Sequence, residues 1–161
     1  MSLQKTSYIT VDEAEQYFEG VLDTDAWDDA TNAEKTKALI QASTDIDKLE
    51  YIGTKTTLQS EHEFPRNPIP EIDPNQIDSD LVPFNVKYAV CEQALAILDG
   101  WDVGQEIDGL SLVGAAYSSV KATFDREDIP MHLKCGLTPK AWQFILPFIR
   151  DNRAIRLSRV S

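Results

Sequence analysis

The stretch Thr31–Gly53, TNAEKTKALIQASTDIDKLEYIG, restricts the fold more than any other part of the chain. Thr31 and Glu34 stand three apart, the spacing of a capping box in which each side chain satisfies a backbone N–H of the first turn. Ala38, Leu39, Ala42, Ile46, Leu49 and, at the far end, Ile52 recur at three- and four-residue steps, which puts them on one helical stripe. Gly53 follows the last apolar position, where a left-handed C-cap is expected. Lys35, Lys37, Asp45, Asp47 and Lys48 fall on the opposite face. A helix over 31–52 with such a stripe does not stand alone, so the rest of the chain must supply its partners.

Those partners are legible in outline. Thr10 and Glu13 form a second capping box, and Val11, Ala14, Phe18 and Val21 or Leu22 share a face, which predicts a helix over 11–20. Trp27 is the single apolar anchor of an acidic connector over 23–30. Residues 54–83 carry Pro65, Pro68, Pro70, Pro74 and Pro83, which predicts a long loop with at most a short extended piece at 54–57. Phe64 and Ile69 are its expected feet on the body. A third helix is expected from a Ser79 or Asp80 cap to Asp99, with Tyr88, Cys91, Ala94, Leu95 and Leu98 on one side and Gly100 as its stop. From Trp101 the pattern shifts towards a period of two, and 110–124 reads as one or two strands of a hairpin arm. Thr138-Pro139 opens a last helix with Trp142, Ile145, Leu146 and Ile149 on its apolar side, and Pro147 should stop or kink it near Leu146. The expected class is mainly α: a small helical bundle with a long proline-rich loop, a β-hairpin arm at 101–125 and an extended C-terminal tail. The body would be 1–149 and the tail 150–161, with Leu39, Ala42, Ile46, Leu49, Cys91, Leu95 and Leu98 in the core.

Charge is uneven. The whole chain carries −12, but the tail holds Arg150, Arg153, Arg156 and Arg159 against Asp151, so 150–161 is net +3 and 1–149 is −15. An acidic body argues against wrapping nucleic acid around it, because phosphate neutralisation dominates such binding. Ile155, Leu157 and Val160 lie between the tail arginines, which reads as a basic terminus or as an arm that docks in a partner's groove. No run approaches the roughly eighteen apolar residues of a membrane span, and no secretory signal pattern opens the chain. Cys91 reads as a small core residue, and the cysteine usage fits a reducing compartment.

Nothing in the sequence carries a catalytic signature. Gly-rich phosphate loops, CxxC and HExxH are missing. His62 lies between Glu61 and Glu63 in the long loop and reads as a solvated histidine. His132 and Cys135 lack a second pair for a tetrahedral site, and Asp73, Asn75 and Asp78 lack the glycine and closing glutamate of a calcium loop. No enzyme activity, cofactor or metal is expected.

The ordered set Tyr8-Ile9-Thr10-Val11-Asp12-Glu13-Ala14-Glu15-Gln16-Tyr17, the Trp27 connector, Lys35–Leu49, Tyr51-Ile52-Gly53, Phe64-Pro65-Arg66 and the 84–98 helix resembles the head–tail connector (adaptor) proteins of tailed bacteriophages. That resemblance implies a structural virion protein of the neck, made in the host cytoplasm and forming a ring, twelvefold, under the portal. It implies portal protein and a tail or nozzle/stopper protein as partners, with DNA passing through the lumen without specific binding. Arg150, Arg153, Ile155, Arg156, Leu157, Arg159 and Val160 would form the portal-docking arm. Phe64, Arg66, Ile69, Tyr117 and Phe124 would touch the tail side or neighbouring subunits. Some relatives of this family are described as resembling a single-stranded-DNA-binding primosomal protein, which supplies the alternative function. That alternative needs stacking aromatics interleaved with basic residues, whereas Trp27 and Trp101 sit among aspartates. A small scaffolding or regulatory helical protein is a third reading.

Overall fold

The segment Phe84–Leu98 carries two charged residues in fifteen, Lys87 and Glu92, and apolar residues on every side of the cylinder. A helix apolar all round belongs at the centre of a domain, and this is where it lies. A computed structural model describes residues 6–67, 81–116 and 129–150, with the backbone alone at 111–116. In chain order the elements are α1 (Val11–Phe18), α2 (Asp25–Asp28), α3 (Asn32–Ile46), β1 (Thr54–Lys55), β2 (Arg66–Asn67), α4 (Phe84–Leu98), α5 (Val103–Ala116), α6 (Met131–Lys134) and α7 (Pro139–Ile145), followed by a 3-10 turn at Leu146–Phe148. The fold is mainly α. Helix α4 packs against α3 on one side and α7 on the other, with α1 and α2 across its ends.

The two capping boxes form as the sequence predicts, Thr10 with Glu13 and Thr31 with Glu34. Helix α3 ends at Ile46 rather than near 52, because Asp47 turns out of the helix to bind the loop that follows. Gly53 does adopt φ 76°, but well beyond the helix end, and Ile52 is exposed. Lys35, expected on the solvent face, is buried with its Nζ 5.1 Å from the centre of the Trp27 ring and 2.7 Å from Glu15. Trp27 is fully buried against Phe18, so the acidic connector is anchored as expected. Helix α4 starts at Phe84 with Pro83 at its N-cap, and the expected caps Ser79 and Asp80 lie outside the described residues. Gly100 stops it in a Schellman arrangement: Trp101 N–H donates to Ala96 O and Gly100 N–H to Ile97 O. Thr138 caps α7 with Pro139 behind it, and the helix tightens at Leu146 before Pro147 as predicted, though Leu146 points outward.

The hairpin arm expected at 101–125 is replaced, over the described part, by α5. Asp102 accepts the N–H of Gly104 at 2.6 Å and of Gln105 at 3.4 Å, a cap that outweighs the β-branched composition downstream. The two-stranded pairing lies elsewhere, in the proline-rich loop, where Thr54 faces Asn67 and Lys55 faces Arg66. That loop is strapped to the body. The Phe64–Pro65 bond is cis, Phe64 is buried, and Arg66 donates to Ile52 O (2.9 Å), Gly53 O (2.6 Å) and Glu63 Oε2 (2.6 Å).

His62 is not solvated. Its Nδ1 lies 2.7 Å from Asp47 Oδ2, its Nε2 lies 2.9 Å from Thr6 Oγ1, and its ring rests on Tyr8. Asp47 also accepts the Tyr8 hydroxyl and the Glu63 N–H, so one carboxylate ties the N-terminal segment, α3 and the loop together. Burial and this bond push the Tyr8 phenol well above its usual pKa.

Candidate functional site

Pro83 at the N-cap of α4 places Phe84 and Tyr88 one turn apart on the same face, and α1 brings Tyr17 beside them. The rings form a ladder. Phe84 and Tyr88 lie 6.2 Å apart at 25°, and Tyr88 and Tyr17 lie 5.0 Å apart at 24°. Phe144 from α7 meets Tyr88 edge-on at 5.8 Å and closes its far side. Phe84, the outermost ring, is 55% exposed. Ile9, Glu13, Gln16 and Lys87 complete the walls of an open groove of about 510 Å³.

The polar groups of the groove are already engaged with one another. The Tyr17 hydroxyl donates to Glu92 Oε1 at 2.7 Å, and burial with this carboxylate raises its pKa, so the ring offers its face and keeps its proton. Lys87 Nζ lies 2.7 Å from Glu13 Oε1. The other oxygen of Glu13 accepts the N–H and hydroxyl of Thr10, and Lys87 with Thr10 lowers the Glu13 carboxyl to about 2. No acidic side chain lies in the first turn of α4, whose positive dipole end adjoins Phe84. A second hollow of about 440 Å³ is lined by Asp23, Asp25, Glu92, Asp99 and Trp101, with Lys140 as its cation. Such a wall repels phosphate.

The sequence-predicted site residues do not converge on either hollow. Phe64 and Arg66 face inward as parts of the loop strap, which leaves them unavailable to a partner. Arg150 is exposed, with its N–H donating to Glu50 O at 3.0 Å. Ile69, Tyr117, Phe124, Arg153, Ile155, Arg156, Leu157, Arg159 and Val160 lie outside the described residues. The expected core residues Leu39, Ala42, Ile46, Cys91 and Leu95 are buried, and Leu49 and Leu98 pack at its edge. Tyr17, Phe84 and Lys87 escaped notice as a group because 67 residues separate the first two in the chain. The one available signal was the spacing Phe84-x-x-Lys87-Tyr88 at the start of a helix. Among the described residues no group of three His, Cys, Asp or Glu side chains is placed to hold a metal ion, and no helix is long and apolar enough to cross a membrane.

Fold and groove together define a small, mainly α-helical protein with an open, aromatic-walled groove. The chain belongs to the family described as "Putative DnaT-like ssDNA binding protein", whose profile matches residues 3–127. No curated protein and no solved structure matches the chain. The family match corrects the connector resemblance and the function and partners that followed from it. The portal and tail partners, the twelvefold ring, the structural virion role and the passage of DNA without binding rested on an ordered set of capping boxes and helix stripes. Such features recur wherever short helices pack, and they carry no partner information.

Proposed function

We propose that this protein binds single-stranded DNA by taking unpaired bases on the Phe84–Tyr88–Tyr17 ladder. The observation that carries the proposal is the near-parallel stack ending in an exposed ring, with Lys87 beside it. A base added to Phe84 extends a stack that the protein has already ordered, so little side-chain entropy is lost on binding. Every base offers a π-face, which makes such a platform tolerant of sequence. Duplex DNA keeps its bases stacked on one another and has no free face to offer. The membership of a family described as ssDNA binding supports the same reading.

The electrostatics set its character. Lys35, Lys48, Lys55, Arg66, Lys87 and Lys140 all lie within 4.0 Å of a carboxylate of the same chain. At the groove Lys87 is the one lining cation and it is already paired, so there stacking supplies the larger share of affinity and the local contribution to salt dependence is small. The test is fluorescence anisotropy with a labelled oligothymidylate. Phe84→Ala should weaken binding by about 1–3 kcal/mol, the usual value of one base–aromatic stack, with thermal stability nearly unchanged because the ring is exposed. Unchanged affinity in Phe84→Ala and Tyr88→Ala would refute the assignment.

A further inference from the structure

We infer that Glu13 is an internal competitor for the phosphate that Lys87 would otherwise hold, so the strand is taken up by exchange of a carboxylate for a phosphate. This inference rests on the ssDNA reading above and adds a residue that sets affinity. Lys87 is the sole cation among the groove-lining residues. It adjoins Tyr88 and lies three residues from Phe84 on the same helix, within reach of the backbone of a nucleotide stacked there. Its Nζ is held at 2.7 Å by Glu13 Oε1. Glu13 is not free to swing away, because its second oxygen is fixed by the Thr10 N–H at 2.9 Å and hydroxyl at 3.0 Å. The carboxylate therefore stays in the groove and must be displaced from Lys87 rather than removed.

Exchange has a signature that simple addition lacks. When a phosphate takes Lys87, the cation released from the strand is offset by the one that the freed Glu13 carboxylate attracts, so Lys87 contributes little to the salt slope of the native protein. Glu13→Gln removes the charge and keeps the capping box, since glutamine serves at that helical position as well as glutamate. Freed, Lys87 adds up to about 0.7 to the slope of log K against log salt, the value for one phosphate contact on a single strand. Affinity at low salt should rise about 1.4- to fivefold, the range that an exposed ion pair supplies.

The experiment measures oligothymidylate binding by anisotropy across a salt series for wild type, Phe84→Ala, Glu13→Gln and Glu13→Gln/Lys87→Met. The expected result is loss of affinity in Phe84→Ala, tighter and steeper binding in Glu13→Gln, and return to a shallow slope in the double variant. Weakened Phe84→Ala with an unchanged or weaker Glu13→Gln overturns the competitor role and leaves the stacking platform standing. Phe84→Ala with native affinity overturns the platform, and the competitor with it. A Glu13→Gln gain that persists in the double variant also overturns the competitor role, because the gain would then come from lost repulsion and not from Lys87.

Discussion

Replacing Arg66 tests whether the proline-rich loop is a structural strap or a free docking element. Its guanidinium spans four backbone carbonyls, Ile52 at 2.9 Å, Gly53 at 2.6 Å, Glu63 at 3.3 Å and Tyr51 at 3.4 Å, and closes on the Glu63 carboxylate at 2.6 Å. It also lies over the Tyr51 ring, with its central carbon 5.9 Å from the ring centre. Arg66→Met keeps the stem and removes the donors. Tyr51 O stays in a buried position, whereas the Ile52 and Gly53 carbonyls sit nearer to solvent and regain water. One buried acceptor left unpaired costs about 1–3 kcal/mol, and a lost bond to the Glu63 carboxylate adds roughly 1 more after solvent screening. The sum is about 3 kcal/mol, or about 6–12 °C in Tm for a chain of this length. Arg66→Lys should lose most of the same amount, because an ammonium does not reproduce a fork across several acceptors. Urea unfolding followed by far-UV circular dichroism measures both. Loss below about 1 kcal/mol in Arg66→Met would show that the loop does not depend on this clamp, and the strap argument would fail.

Gln93 is 1% exposed and joins α4 to the turn before α7, donating to Gly136 O at 3.2 Å and accepting the Thr138 N–H at 3.0 Å. Gln93→Leu leaves the buried Thr138 N–H and the half-buried Gly136 carbonyl unpaired and should cost about 1–3 kcal/mol in chemical denaturation; a neutral outcome would mean that water reaches that turn. The Glu13 carboxyl, held near 2 by Lys87 and Thr10, has a folded value below the ordinary carboxylate value near 4.5, so its contribution is present above about pH 4.5 and lost as pH falls towards 2. Stability measured from pH 5 to pH 2 should fall less steeply in Glu13→Gln than in wild type, and parallel curves would contradict that assignment.

The helices most legible in the sequence were those whose ends are written locally. Thr10-x-x-Glu13, Thr31-x-x-Glu34 and Thr138-Pro139 each specify a cap within four residues, and each forms. The part that was not legible depends on contacts distant in the chain. Helix α3 stops early because Asp47 is taken by Tyr8, His62 and Glu63, none of which a periodicity count through Leu49 sees. Lys35 looks like a solvent residue by spacing and is buried because Trp27 and Glu15 come to it. Over 103–116 the local pattern is ambiguous: Val103, Ile107 and Leu110 follow a helical step after the Asp102 cap, but the small and β-branched residues beyond them suggest strands. The groove suffered most, since Tyr17 and Tyr88 meet only after α1 and α4 pack.

Net charge is the argument that weighed against DNA at the level of sequence, and geometry changes its force. A body of −15 repels a phosphate chain only as far as its field extends, which is about 8 Å at physiological ionic strength. Several of its carboxylates are committed to partners inside the fold: Glu15 to Lys35, Glu63 to Arg66 and Lys55, Asp47 to His62, and Glu92 to Tyr17. What a nucleotide meets at the ladder is therefore the local balance of Lys87 against Glu13, which is neutral, and the exposed Phe84 ring that ends the stack. Lowering salt strengthens attraction to the cations that are not paired but also lengthens the reach of the acidic surface. These two effects oppose each other at the groove, where Lys87 is paired with Glu13. An acidic protein can in this way hold unpaired bases by stacking while it does not condense on DNA as a basic one does.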